Sequence, residues 1–192
     1  QKSFGTTTYE TPVPIENDFV YDIASVTKVA ASVLSLMKLY ESGKIELDSG
    51  LAHYLPELKG TSKGNLTLRE ILTHQAGLKA WIPFWKNTME NGEWKTSLYC
   101  KTPSAKYSTQ VADSLYILTS YKDSIYATIT ASPIDASKKY LYSDLGYYYI
   151  KQIIEKITAD SLQNYVANIY NQLGMSTTCY LPKSKIELNK IV

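Results

Sequence analysis

The spacing of apolar residues changes at Ser25. Before it, Phe19, Tyr21 and Ile23 alternate with other residues and predict a short strand, while Thr6, Thr7, Thr8, Pro12 and Pro14 oppose helix over the rest of residues 1–24. From there Val26, Val29, Ala30, Val33, Leu34, Met37 and Tyr40 recur at three- and four-residue steps, the period of one helix face. Gly43 follows, a residue that tolerates the left-handed conformation past a last turn, so a long helix is expected over about 25–42. Thr67-Leu68-Arg69-Glu70 has the form of a capping box, in which hydroxyl and carboxylate each accept an N–H that a first helical turn leaves over. Leu66 and Ile71 are placed as its hydrophobic staple, and the helix should reach about His74 and end before Gly77. A moderate helical pattern covers residues 108–120. The stripe Leu145, Tyr149, Ile150, Ile153, Ile154 and Ile157 predicts a helix over residues 143–157, and Ser161 as N-cap opens another to about Leu173, before Gly174. Trp81 to Trp94 carries three Trp, Pro83 and Asn91-Gly92, the composition of an aromatic-lined loop or lid. No internal repeat or low-complexity linker interrupts this order, so no domain boundary is placed within residues 1–192.

Bulk properties narrow the function classes. The 192 residues, 44% hydrophobic and 20% charged, suffice for one domain with its own core. A net charge of +2 with scattered lysines and a single arginine, Arg69, argues against nucleic acid, because phosphate and guanine contacts favour Arg. No apolar run approaches the roughly 20 residues of a membrane span. No basic stretch followed by an apolar one opens the chain, so no signal peptide is visible. Cys100 and Cys179 have no metal-ligand spacing and are either one disulfide or two buried thiols. No metal or cofactor is expected.

Chemistry enters with Ser25-Val26-Thr27-Lys28 at the head of the long helix. A serine hydroxyl is a weak nucleophile until a base takes its proton, and residues three apart on a helix share a face, so Lys28 can reach Ser25. The helix N-terminus favours a developing alkoxide and disfavours a protonated Lys, and burial would lower the Lys pKa further. Spacing alone also fits an N-cap serine at position 25. Ser35-Leu36-Met37-Lys38 repeats the form mid-helix, where it reads as structural. Tyr142-Ser143-Asp144 is a Tyr-x-Asp run, a form that also occurs at Tyr121-Lys122-Asp123. A phenol near two cationic groups can act as general base and later return the proton to a leaving group, and Asp144 could orient Lys28 or bind a substrate amide. Equally, Ser143 alone could cap the next helix.

The run Tyr21-Asp22-Ile23-Ala24-Ser25-Val26-Thr27-Lys28 resembles the nucleophile motif of the penicillin-binding-protein and β-lactamase superfamily: class C β-lactamases, D-alanyl-D-alanine carboxypeptidases and related esterases. Three more segments agree in the family's order. They are Glu41 to Pro56, Leu72-Thr73-His74-Gln75-Ala76-Gly77-Leu78, and Tyr142 to Tyr147 followed by Leu173-Gly174-Met175 and Thr178. The resemblance spans about residues 18–182. It implies a β-lactamase/transpeptidase-like α/β (α+β) fold, and an acyl-enzyme on Ser25 with Lys28 and Tyr142 moving the proton. Asp144, Trp81 and Trp85 would meet a small-molecule or peptidoglycan-derived substrate. It further implies a periplasmic, cell-surface or secreted location, and similar domains occur fused to glycoside hydrolases in bacteria.

Two departures stand out. The family usually has Asn where Asp144 stands, and no Lys-Thr-Gly, Lys-Ser-Gly or His-x-Gly occurs anywhere. With few residues before Ser25 and the chain stopping at Val192, the expectation is a partial domain. Its N-terminal strands would be truncated and its C-terminal strands and third motif absent, leaving it mainly helical with an incomplete antiparallel sheet. Such a piece could be an inactive fragment of a larger hydrolase, and two further rivals remain: a non-catalytic module binding peptidoglycan or glycan on Trp81, Trp85 and Trp94, and a Ser-His-Asp hydrolase using His74 or His53. For the latter, Gly60-Thr61-Ser62-Lys63-Gly64 has the Gly-x-Ser-x-Gly spacing, but no strand is expected before it and no helix until Thr67, so it is not a strand-to-helix elbow; His74 at the end of a capped helix reads as structural.

Overall fold

The computed structural model describes residues 2–192. Six α-helices follow in chain order: α1 (Leu34–Glu41), α2 (Leu51–Tyr54), α3 (Leu68–Leu72), α4 (Tyr121–Ala131), α5 (Leu145–Thr158) and α6 (Leu162–Gln172). Five short strands are β1 (Met89–Glu90), β2 (Glu93–Trp94), β3 (Tyr99–Cys100), β4 (Thr109–Ala112) and β5 (Leu115–Ile117). The chain divides into two compact units, residues up to Ile45 together with Ile154–Val192, and Glu46–Ile153.

In the first unit the expected long helix forms, with wide π turns over Lys28–Val33 leading into α1. Its buried face is not the expected one. Ala31, Ser32, Ser35, Leu36 and Leu39 are buried, whereas Val26, Val29, Met37 and Tyr40 are exposed. The small residues explain the choice, since Ala31 lets α6 approach closely enough to pack Val166 and Tyr170 against it. The Tyr170 hydroxyl then donates to the Ala30 carbonyl at 2.8 Å. Ser161 caps α6 as expected, accepting the Asn164 N–H, and Gly174 beyond its end has φ 70°. The strand expected at Phe19–Ile23 does not form. Val20 makes a single parallel bridge with Ile191, its N–H donating to the Lys190 carbonyl at 2.7 Å and its carbonyl accepting the Val192 N–H at 2.9 Å.

In the second unit the capping box is complete: Thr67 accepts the Glu70 N–H and the Glu70 carboxylate accepts the Thr67 N–H. Glu70 also pairs with Lys138. Leu51, Leu55, Leu66, Leu68, Ile71, Ile129, Leu145, Tyr149 and Ile150 make the core. Gly146 lets α5 sit directly on α3, since a Cβ there would run into the Ile71 methyl. Lys63 is fully buried, its ammonium donating to the Ser62 hydroxyl and the carbonyls of Thr130 and Ser132 at the end of α4. Burial holds its pKa below the ordinary lysine value.

The helical pattern expected over 108–120 is overturned. Thr109–Ala112 and Leu115–Ile117 are antiparallel strands joined at Asp113-Ser114, with Ser114 at φ 53°, and the helix begins only at Tyr121. Thr109, Val111, Tyr116 and Ile117 are β-branched or aromatic, and their strand preference outweighs an apolar spacing that fits either element. The sheets are small, a β1-β2 hairpin and a three-stranded sheet in the order β3-β5-β4. Asn91 and Gly92, both at positive φ, turn the β1-β2 hairpin as that dipeptide favours. Cys100 and Cys179 are half-buried free thiols, so neither a disulfide nor a pair of fully buried thiols is formed. Among the described residues no helix is long and apolar enough to cross a membrane, and no three His, Cys, Asp or Glu side chains cluster to hold a metal.

Candidate active site

Ser25 is delivered by a tight turn. The Asp22 carboxylate accepts the Ala24 N–H at 2.7 Å, and Ala24 takes φ 43°, an angle alanine rarely adopts. The N–H groups of Val26, Thr27 and Lys28 then bond the carbonyls of Ile23, Ala24 and Ser25, starting the helix. One turn along, the Lys28 ammonium donates to the Ser25 hydroxyl at 2.9 Å. Ser25 is exposed and Lys28 half-buried, so the desolvation expected around them is weak. The second Ser-x-x-Lys is no site: Ser35 is fully buried, and Lys38 turns outward to Glu41 at 3.1 Å.

Tyr142 lies in the second unit, 42% exposed, on a segment fixed by its neighbours. The Ser143 hydroxyl donates to the Lys79 carbonyl at 2.6 Å and accepts the Leu145 N–H at 3.2 Å, so this serine does serve the start of α5. The Asp144 N–H reaches the Ala80 carbonyl at 2.8 Å, tying the Tyr-Ser-Asp run to the strip before Trp81. His74 stacks on the Tyr142 ring with centroids 4.3 Å apart. Its Nδ1 accepts the Ser143 N–H at 3.1 Å, the position from which a triad histidine donates to a carboxylate. His53 is exposed, its ring edge-on to Tyr54. Neither histidine is built as a triad base. Trp81 and Trp85 are 59% and 55% exposed, with Lys86 over the Trp85 ring.

Two contacts that shape the candidate side chains are absent from the sequence reading. Asp22, two residues before Ala24, is the residue type that bonds backbone two positions on, and it was the available hint. For the stack of His74 on Tyr142 no local pattern exists, since the two are far apart in sequence.

Comparison with known proteins bears on these residues. The model of the family described as "Beta-lactamase" matches residues 1–187. A protein of Escherichia coli K12 named "Putative D-alanyl-D-alanine carboxypeptidase" is 30% identical over 194 residues, covering 96% of this chain and 39% of that protein. A protein of the same name from Salmonella agona is 29% identical with the same coverage. The chain therefore spans well under half the length of these relatives. Among solved structures, a penicillin-binding protein from Bacillus halodurans matches with TM-score 0.67 and 20% identity, over 100% of this chain and 52% of that one. A class C β-lactamase matches with TM-score 0.61 and 19% identity, over 94% and 42%. The helices and small antiparallel sheets described above are a β-lactamase/transpeptidase-like fold.

Proposed function

We propose, from the premise that this chain belongs to the beta-lactamase family, that it carries the nucleophile of a serine hydrolase acting on an amide, ester or β-lactam. The carrying observation is the 2.9 Å contact between the Lys28 amine and the Ser25 hydroxyl at the head of a helix. Along that vector a neutral amine accepts the hydroxyl proton as Oγ bonds to the substrate carbonyl carbon. Positive potential at the helix start and the Ser25 backbone N–H favour the resulting oxyanion, a donor role worth about 3 kcal/mol of barrier elsewhere. Collapse breaks the bond to the leaving amine or alcohol, which takes a proton from Tyr142, and water then hydrolyses the ester with the same groups reversed. Assigning Tyr142 to this step rests on the order of the four family-like segments. Asp144, Trp81 and Trp85 are assigned to the substrate on the same basis. The names of the bacterial relatives favour a peptidoglycan peptide as substrate and a location outside the cytoplasm.

Incubation with a fluorophosphonate and with penicillin, followed by mass spectrometry, tests this reading. The expected outcome is one adduct on Ser25, absent from a folded Ser25→Ala variant. Full-length folded protein carrying this chain that stays unlabelled, or is labelled elsewhere, sinks the hydrolase reading. One observation favours a second reading, a non-catalytic glycan-binding module: Trp81, Trp85 and Trp94 are all about half exposed or more, at 59%, 55% and 48%. Retention on insoluble peptidoglycan without any Ser25 adduct would select it.

A further inference from the structure

His74 is held in an unusual way for a residue that closes a helix. Its backbone has φ 56°, in the left-handed region that few non-glycine residues occupy, His among the more tolerant of them with Asn and Asp. Its carbonyl accepts the Leu141 N–H at 3.0 Å and its Nδ1 accepts the Ser143 N–H at 3.1 Å, so it grips the backbone on both sides of Tyr142. Acceptance at Nδ1 puts the proton of the neutral ring on Nε2. The same ring lies against the Tyr142 phenol, centroids 4.3 Å apart and planes at 35°, with Tyr147 at 5.9 Å and Tyr140 edge-on at 6.1 Å.

We infer that His74 is a positioning residue for Tyr142: its Nδ1 fixes the backbone of the Tyr-Ser-Asp run and its ring face fixes the phenol. The catalytic consequence rests on the reading of Tyr142 as proton carrier, whereas the contact itself does not. Two jobs in one side chain are separable by substitution. His74→Asn keeps an acceptor and tolerates φ 56°, but removes the ring. His74→Phe keeps a ring and removes the acceptor, in a backbone conformation it does not favour.

The test uses the chain with isotope-labelled tyrosine. In wild type the Tyr142 ring protons should be shifted by the ring current of His74. In His74→Asn that shift should vanish while the Ser143 amide signal stays near its place and thermal unfolding changes little. His74→Phe should do the converse, moving the Ser143 amide and lowering the melting temperature. Misplacing a reacting group by about 1 Å can cost roughly a hundredfold in rate. The rate constant for acylation of Ser25 in His74→Asn should accordingly fall at least tenfold, with the concentration dependence of labelling unchanged. Unmoved Tyr142 signals in His74→Asn overturn the inference. So does normal acylation in His74→Asn when Tyr142→Phe abolishes it. Normal acylation in Tyr142→Phe instead strikes at the proton-carrier reading, and the resonance shifts then decide the positioning role alone, as they do if wild type does not acylate.

Discussion

Ala24 and His74 are two non-glycine residues at positive φ, and each adjoins a side chain of the candidate site. Left-handed backbone costs an ordinary residue about 1–2 kcal/mol, so the turn before Ser25 holds strain that Asp22 sustains through its bond to the Ala24 N–H. Glycine relieves that strain. Ala24→Gly is therefore expected to raise unfolding stability by up to about 1 kcal/mol in a denaturant titration, while Ser25 becomes slower to label because the turn that aims it is loosened. A variant that is less stable would show that the surroundings already relax this angle. The Ser25–Lys28 pair was legible in the sequence because a three-residue step on a helix fixes their contact. The angle that aims Ser25 was not, since alanine does not announce a positive φ.

At the scale of elements, the capping box of α3 does more than start a helix, because Glu70 also holds Lys138 from the segment that leads to Tyr142. Burial raises the Glu70 pKa, but the Lys138 ammonium and the Thr67 N–H and hydroxyl outweigh it, leaving the carboxyl below its ordinary 4.5. The unfolded carboxyl consequently binds its proton before the folded one does. Its contribution to stability is complete above about pH 4.5 and is lost as the pH falls through the lower folded value. Glu70→Gln should flatten the acid limb of stability against pH and lower stability near neutrality, which unfolding across a pH series would show; an unchanged acid limb would remove Glu70 from the account. Capped helices were readable because α3 and α6 carry their start residues in the sequence. The hairpin of β4 and β5 was not, as four or five apolar positions fit both periods, and strand preference together with the left-handed turn at Ser114 decides between them.

At the scale of the whole molecule, the two units each bury their own aliphatic residues, but the helix through Ser25 is apolar on two sides. Ala31, Leu36 and Leu39 face inward, and Val26, Val29, Met37 and Tyr40, at 57–65% exposure, remain in solvent. Periodicity identified a stripe and could not say which of two was covered, because small residues on the other face let α6 approach more closely. In the second unit the shielded cation has an experimental use. Lys63 is closed off behind Ser62, Thr130 and Ser132, while Lys59, Lys79 and Lys139 of the same unit are exposed. Brief treatment with an amine-acylating reagent should leave Lys63 unmodified in the intact chain, and modification should appear only as that unit opens under denaturant. Early modification would mean the segment breathes on its own. Otherwise the chain contains a natural chemical clock for the opening of one unit, with no added label.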